Sequence, residues 1–82
     1  MIIKYPLLSE KAVGLIEKEN KLVFIVKHDA TKDAIKNEIE EEYKVKVNSV
    51  RTVNSMRGEK KAYIQLAPEN SAVDLATKLK IL

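Results

Sequence analysis

Six cations stand between positions 44 and 61, namely Lys44, Lys46, Arg51, Arg57, Lys60 and Lys61, against one carboxylate, Glu59. This local balance of +5 exceeds the +3 carried by all 82 residues. Clustered lysines and arginines attract phosphates, and such attraction depends on where the charge lies more than on the total. A second charged pattern lies upstream: Lys32 and Lys36 precede Glu38, Glu40, Glu41 and Glu42. If this stretch is a helix, both groups oppose its dipole, by about 0.3 to 1 kcal/mol for each terminal charge. An external anion beside Lys32 and Lys36 would justify the first placement. A solvent-facing or partner-facing acidic end would justify the second. An ordinary solvated helix face explains each charge equally well taken singly, so the stretch from 44 to 61 is the stronger signal.

Other chemistries find little support. His28 beside Asp29 is the one acid–base pair with local logic, and it stands where a strand should end, a common place for an exposed loop histidine. Two isolated glycines, Gly14 and Gly58, cannot build a phosphate-cradling loop, so no nucleotide cofactor is expected. With no cysteine and one histidine, disulfides, thiolate nucleophiles, zinc ribbons and multi-histidine metal sites are excluded. Tyr5 and Tyr63 are the rings left for base stacking, because Phe24 and Tyr43 occupy expected core positions. No segment matches the aromatic strand of the four-stranded RNA-recognition sheet.

The elements that must position these residues are legible. Ile2 to Tyr5 reads as a short strand stopped by Pro6. Ser9 is a candidate N-cap for a helix of about ten residues, with Leu8 and Val13 as its hydrophobic staple, ended by Asn20. Lys21 to Lys27 encloses five consecutive apolar residues, as expected of a central strand covered on both faces. Asp29 or Thr31 can cap a second helix reaching about Tyr43, with Ile35, Ile39 and Tyr43 on one stripe. A strand from about 45 to 54 changes phase between Val47 and Val50 and so needs a bulge near Asn48. The turn around Gly58 joins it in an antiparallel hairpin to a strand from Lys61 to Leu66. Ser71 with Asp74 resembles a capping box before Ala72, Leu75, Ala76 and Leu79. The predicted order is β-α-β-α-β-β-α, an α+β fold with a mostly antiparallel four-stranded sheet and helices packed on it.

Length and composition fit one domain over residues 1–82, with 45% hydrophobic and 33% charged residues. Its expected radius of gyration is about 12 Å, which leaves little room for a deep substrate pocket. The longest apolar run, Leu22 to Val26, is far below the roughly 20 residues that span a bilayer. No signal-peptide pattern opens the chain, so a reducing cytoplasm and no membrane partner are expected.

Several segments together resemble the family of the twenty-third protein of the large ribosomal subunit, which lies at the rim of the peptide exit tunnel. The likeness is carried by Tyr5-Pro-Leu-Leu-Ser-Glu-Lys-Ala12, by Asn20-Lys-Leu-Val-Phe-Ile-Val26 and by Ala30-Thr-Lys-Asp-Ala-Ile-Lys36. Lys60-Lys-Ala-Tyr-Ile-Gln-Leu-Ala67, with Leu75 at the expected distance, adds the most specific part. Gln65 stands where the family more often has a basic residue or threonine. The short connection from Val53 to Glu59 and the absence of a basic N-terminal extension resemble the compact archaeal form.

The resemblance implies a ribosomal protein without catalytic activity, cofactor or small-molecule substrate. Its partners would be large-subunit ribosomal RNA, neighbouring ribosomal proteins and, transiently, the signal recognition particle. It implies RNA contacts by Lys4, Tyr5, Pro6, Ser9 and Lys11, by Lys32 and Lys36, and by Arg51, Thr52, Asn54, Arg57, Lys60 and Lys61. Lysines and arginines would neutralise phosphates, while Thr52, Asn54 and backbone amides could read RNA shape and 2′-hydroxyls. Glu10 would help dock factors that meet the emerging chain, although an acid in a helix's first turn also favours the dipole in any protein. The rival from another class is a small ferredoxin-like regulatory or acyl-phosphatase-like domain.

Overall fold

The computed structural model describes residues 2–7, 9–55 and 58–79. Four strands and three helices follow the predicted order: β1 (Ile3–Pro6), α1 (Glu10–Glu19), β2 (Lys21–Val26), α2 (Lys32–Tyr43), β3 (Val47–Asn54), β4 (Lys60–Leu66) and α3 (Ala72–Lys78). The strands form one sheet in the spatial order β1-β2-β4-β3, with every pairing antiparallel.

Each helix starts where a hydroxyl accepts an otherwise orphaned backbone N–H. Ser9 accepts from Ala12, Thr31 from Ala34 and Ser71 from Asp74. Thr31 is therefore the cap of α2, and Asp29 lies outside it in an exposed turn with His28. The proposed staple from Leu8 to Val13 falls outside the described residues. Helices α1 and α2 stop at left-handed residues, Asn20 and Lys44, both with φ 55°.

Asn20 does more than end a helix. Its Nδ2 donates to the carbonyls of Leu66, Ala67 and Asn70 at 3.3, 3.5 and 2.9 Å, and its Oδ1 accepts from the Ala72 amide at 2.6 Å. One side chain thus ties the end of α1 to the end of β4 and the start of α3.

Strand β2 is buried from Leu22 to Val26, as its unbroken apolar run predicts. Its alternate residues serve two faces of the sheet. Leu22, Phe24 and Val26 join Ile64, Ala62 and the stripe of Ile35 and Ile39 from α2 in the main core, which α3 completes with Ala72, Leu75 and Ala76. Val23 and Ile25 point to the second face, where Ala12 and Leu15 of α1 share one depression with Val23 and Tyr63. The rings of Phe24 and Tyr43 lie 6.4 Å apart at 17°, so the third member of the α2 stripe packs on the central strand. The chain measures 31 by 26 by 19 Å with a radius of gyration of 11.6 Å, close to expectation.

The expected irregularity in β3 falls where the change of phase puts it: the register slips between Val47 and Ser49, leaving Asn48 as the extra residue. The strand begins at Val47 rather than 45, because Val45 packs against the core from the preceding segment. A second slip between Ile3 and Tyr5 makes Lys4 the extra residue of β1. Short-range periodicity in four residues could not show it.

Candidate nucleic-acid interface

Register decides which of the predicted contact residues share a face. Across the sheet, Tyr5 lies beside Ile25, Ile25 beside Lys61, and Lys61 beside Val53. The next row runs from Val23 through Tyr63 to Arg51. Paired residues project to one side of a sheet, so Tyr5, Lys61 and Arg51 stand together on the second face. Helix α1 adds Ser9 and Lys11 to the rim of the depression that Lys61 and Tyr63 also line.

Thr52, Asn54 and Lys60 belong to the first face. Thr52 pairs with Ala62, and Asn54 with Lys60. Above them lies α2, whose Glu38 holds the edge of β1 by accepting from the Ile2 and Ile3 amides at 3.2 and 2.9 Å. Lys32 and Lys36 share an i, i+4 row of the helix with Glu40, which accepts from the Val47 amide of β3, so both lysines lie on the flank toward that strand. The β3–β4 hairpin is therefore bracketed by cations on both faces.

Among the described residues only two ion pairs form, Lys21 with Glu19 at 3.2 Å and Lys46 with Glu69 at 3.8 Å. Lys4, Lys11, Lys32, Lys36 and Arg51 are exposed, and Lys61 is half-buried. None of these six has a carboxylate within ion-pair distance among the described residues. The Lys60 ammonium instead donates to the Ala30 carbonyl at 2.6 Å, so it braces the start of α2 as well as adding charge. Arg57 lies outside the described residues. Pro6 is half-buried at the end of β1.

The hairpin connection is built for a tight reversal. Ser55 donates its amide to the Glu59 carbonyl at 2.8 Å, and its Oγ accepts from the Glu59 amide at 3.2 Å. Gly58 sits at φ 80°, a conformation that side chains disfavour. Glu59 accepts from the Tyr5 hydroxyl at 2.8 Å. That hydrogen bond, followed by desolvation and the negative charge of Glu59, raises the Tyr5 phenol above its ordinary value of 10.0.

Half of the acidic end of α2 has a structural purpose that charge order alone concealed. Glu38 caps the β1 amides, and Glu40 accepts from the Val47 amide at 3.0 Å, so each carboxylate ties an edge strand to the helix. Glu41 and Glu42 remain exposed. Burial, then the nearby charges of Glu42 and Glu38, push the Tyr43 phenol up. Gln65 is also engaged within the fold, its Oε1 accepting from Asn48 and Ser49 at 3.4 and 3.3 Å.

A sequence profile described as ribosomal protein L23 matches residues 1–74. The chain belongs to the ribosomal protein L23 family. Two curated relatives agree over nearly the whole length. The large ribosomal subunit protein uL23 of Caldivirga maquilingensis is 49% identical over 81 residues, covering 99% of this chain and 94% of that protein. The protein of the same name from Pyrobaculum aerophilum is 49% identical over 81 residues, covering 99% of this chain and all of that one. Both sources are archaeal, in keeping with the short hairpin connection.

Sequence reasoning singled out the cations of this interface but not their division between two faces. It weighed Tyr63 only as a ring available for stacking. The register that places it between Val23 and Arg51 follows from strand pairing, which no local pattern encodes.

Proposed function

We propose that residues 1–82 act as one domain that binds large-subunit ribosomal RNA by presenting both faces of the β3–β4 hairpin to phosphates. As a member of the ribosomal protein L23 family, the protein is a structural constituent of the large ribosomal subunit rather than an enzyme. Binding to ribosomal RNA and to other ribosomal proteins follows from that membership, with the cytoplasmic ribosome as the place of action.

The observation that carries the RNA reading is the set of cations without carboxylate partners on either side of the hairpin. Lys32 and Lys36 serve the first face with Thr52 and Asn54. Lys11, Arg51 and Lys61 serve the second with Tyr5 and Ser9, and Lys4 extends from the β1 bulge. Lys60 adds charge at the hairpin end, and Arg57 is a further cation of the same basic stretch in the sequence. Lysines and arginines supply affinity, whereas the hydroxyl and amide side chains fix orientation on an RNA surface. Two double variants test this arrangement. Lys32→Ala with Lys36→Ala, and Arg51→Ala with Lys61→Ala, should each weaken binding to large-subunit ribosomal RNA and lower the salt slope by roughly 1.5 to 2. Unchanged affinity in either would remove that face from the interface.

The finer part of the proposal concerns factors at the exit tunnel. Glu10 is exposed in the first turn of α1, on the rim of a shallow depression with Lys11, Gly14 and Lys18. Its exposed carboxylate would meet a basic surface of a visiting factor, the signal recognition particle in an archaeal ribosome. Glu10→Lys should weaken recruitment of that particle to ribosomes while leaving their assembly intact. Equal recruitment would reduce Glu10 to a helix-dipole role.

The topology does not favour the regulatory-domain rival. The chain holds one split β-α-β unit, β2-α2-β3, whose parallel strands flank β4, whereas the rival's β-α-β-β-α-β order repeats that unit and β1-α1-β2 here joins antiparallel neighbours instead.

A further inference from the structure

The depression between α1 and the second face of the sheet is where the ring left unassigned and two of the cations without partners meet. It encloses about 320 Å³, near the lower end of the roughly 300 to 1,000 Å³ typical of ligand pockets. That is room for one planar heterocycle and far too little for a duplex. Leu7, Leu15 and Val23 give it apolar walls, and Tyr63, half-buried, contributes the ring. Lys11 and Lys61 stand on its rim, and among the described residues no carboxylate lines it.

We propose that this depression takes one unstacked nucleobase of the bound RNA, laid against the Tyr63 ring, with the flanking phosphates on Lys11 and Lys61. The inference rests on the RNA-binding reading and specifies which feature of the RNA this face receives. A base offers two apolar faces and a polar edge, and its backbone carries the negative charge. The depression matches each part: apolar walls and a ring for the faces, cations for the phosphates. For the edge there is Ser9, whose Oγ accepts from the Ala12 amide at 3.2 Å and so keeps its hydroxyl hydrogen to donate. Recognition of RNA through a splayed base stacked on an aromatic side chain is the usual route to contacts that phosphates alone cannot supply. An apolar peptide segment would use the walls but leave both lysines without anions.

The test begins with the wild-type protein and large-subunit ribosomal RNA. Short-wavelength ultraviolet irradiation followed by peptide mass spectrometry should give a nucleotide adduct at Tyr63. Tyr63→Ala should lower affinity about tenfold, as for one lost stacked base. The salt slope should stay unchanged because no charge is removed. Tyr63→Phe, which keeps the ring, should bind as the wild type does. Leu15→Trp, which fills the depression while Tyr63 itself is kept, should reproduce the loss, so a poorly folded Tyr63→Ala leaves the inference exposed to refutation. Adducts on the hairpin or α2 but none at Tyr63, or unchanged affinity in Leu15→Trp, would overturn it while leaving the RNA-binding reading intact. A wild-type protein with no preference for ribosomal RNA would instead overturn both.

Discussion

The Tyr5 hydroxyl donates to Glu59 across 54 positions of sequence, at 2.8 Å. This bond pins the only carboxylate of the basic stretch from 44 to 61 against β1. It therefore orders two parts of the proposed interface at once, the N-terminal strand and the end of the hairpin.

Because the Tyr5 phenol is raised, its bond contributes fully below about pH 10, the unfolded value, and is lost as pH rises through the higher folded value. In a Tyr43→Phe, Tyr63→Phe background, tyrosinate absorbance should report Tyr5 titrating above 10.0. Adding Glu59→Gln should bring the midpoint down, since the largest cause of the shift is removed. An unmoved midpoint would contradict the bond.

The Glu38 carboxylate bridges two consecutive amides at the start of the edge strand β1, those of Ile2 just before it and Ile3 within it. Glu38→Ala leaves both donors without their acceptor, and a destabilisation of about 1 to 3 kcal/mol follows from hydrogen bonds of this kind. Amide hydrogen exchange should quicken most at Ile2 and Ile3, more than at Ile64 in the central β4. Uniform quickening across the sheet would show that Glu38 acts on global stability alone.

Asn20 combines a left-handed backbone with four side-chain hydrogen bonds. Asn20→Ala loses both and should cost about 2 to 4 kcal/mol, the sum of a backbone penalty and unsatisfied partners. Asn20→Gly recovers the backbone term only and should lie between Asn20→Ala and the wild type in denaturant midpoint. Equal midpoints for the two variants would assign the whole effect to the hydrogen bonds.

Element order, caps and the β3 bulge were legible because each has a local cause: a hydroxyl before an apolar stripe, or a change of phase within eight residues. Long-range partners were not. The carboxylates of Glu38 and Glu40 looked like a misplaced acidic helix end, because their acceptor role depends on amides 36 and 7 positions away. Lys60 looked like a free phosphate ligand, yet its ammonium meets the Ala30 carbonyl only after β4 docks beneath α2. The basic stretch itself was plain in the sequence, whereas its split between two faces required the register. Arg51 and Thr52 are neighbours in sequence and stand on opposite sides of the sheet.

The central claim is that this domain recognises large-subunit ribosomal RNA through phosphate contacts around the hairpin. Titration of the purified protein against that RNA and an unrelated RNA of equal length, at two salt concentrations fourfold apart, tests it most directly. About five phosphate contacts predict a fall of roughly 500-fold in affinity between the two salts, using the duplex-DNA slope as a guide. The account predicts a clear preference for ribosomal RNA that survives at the higher salt. Equal, weak binding to both RNAs would contradict it.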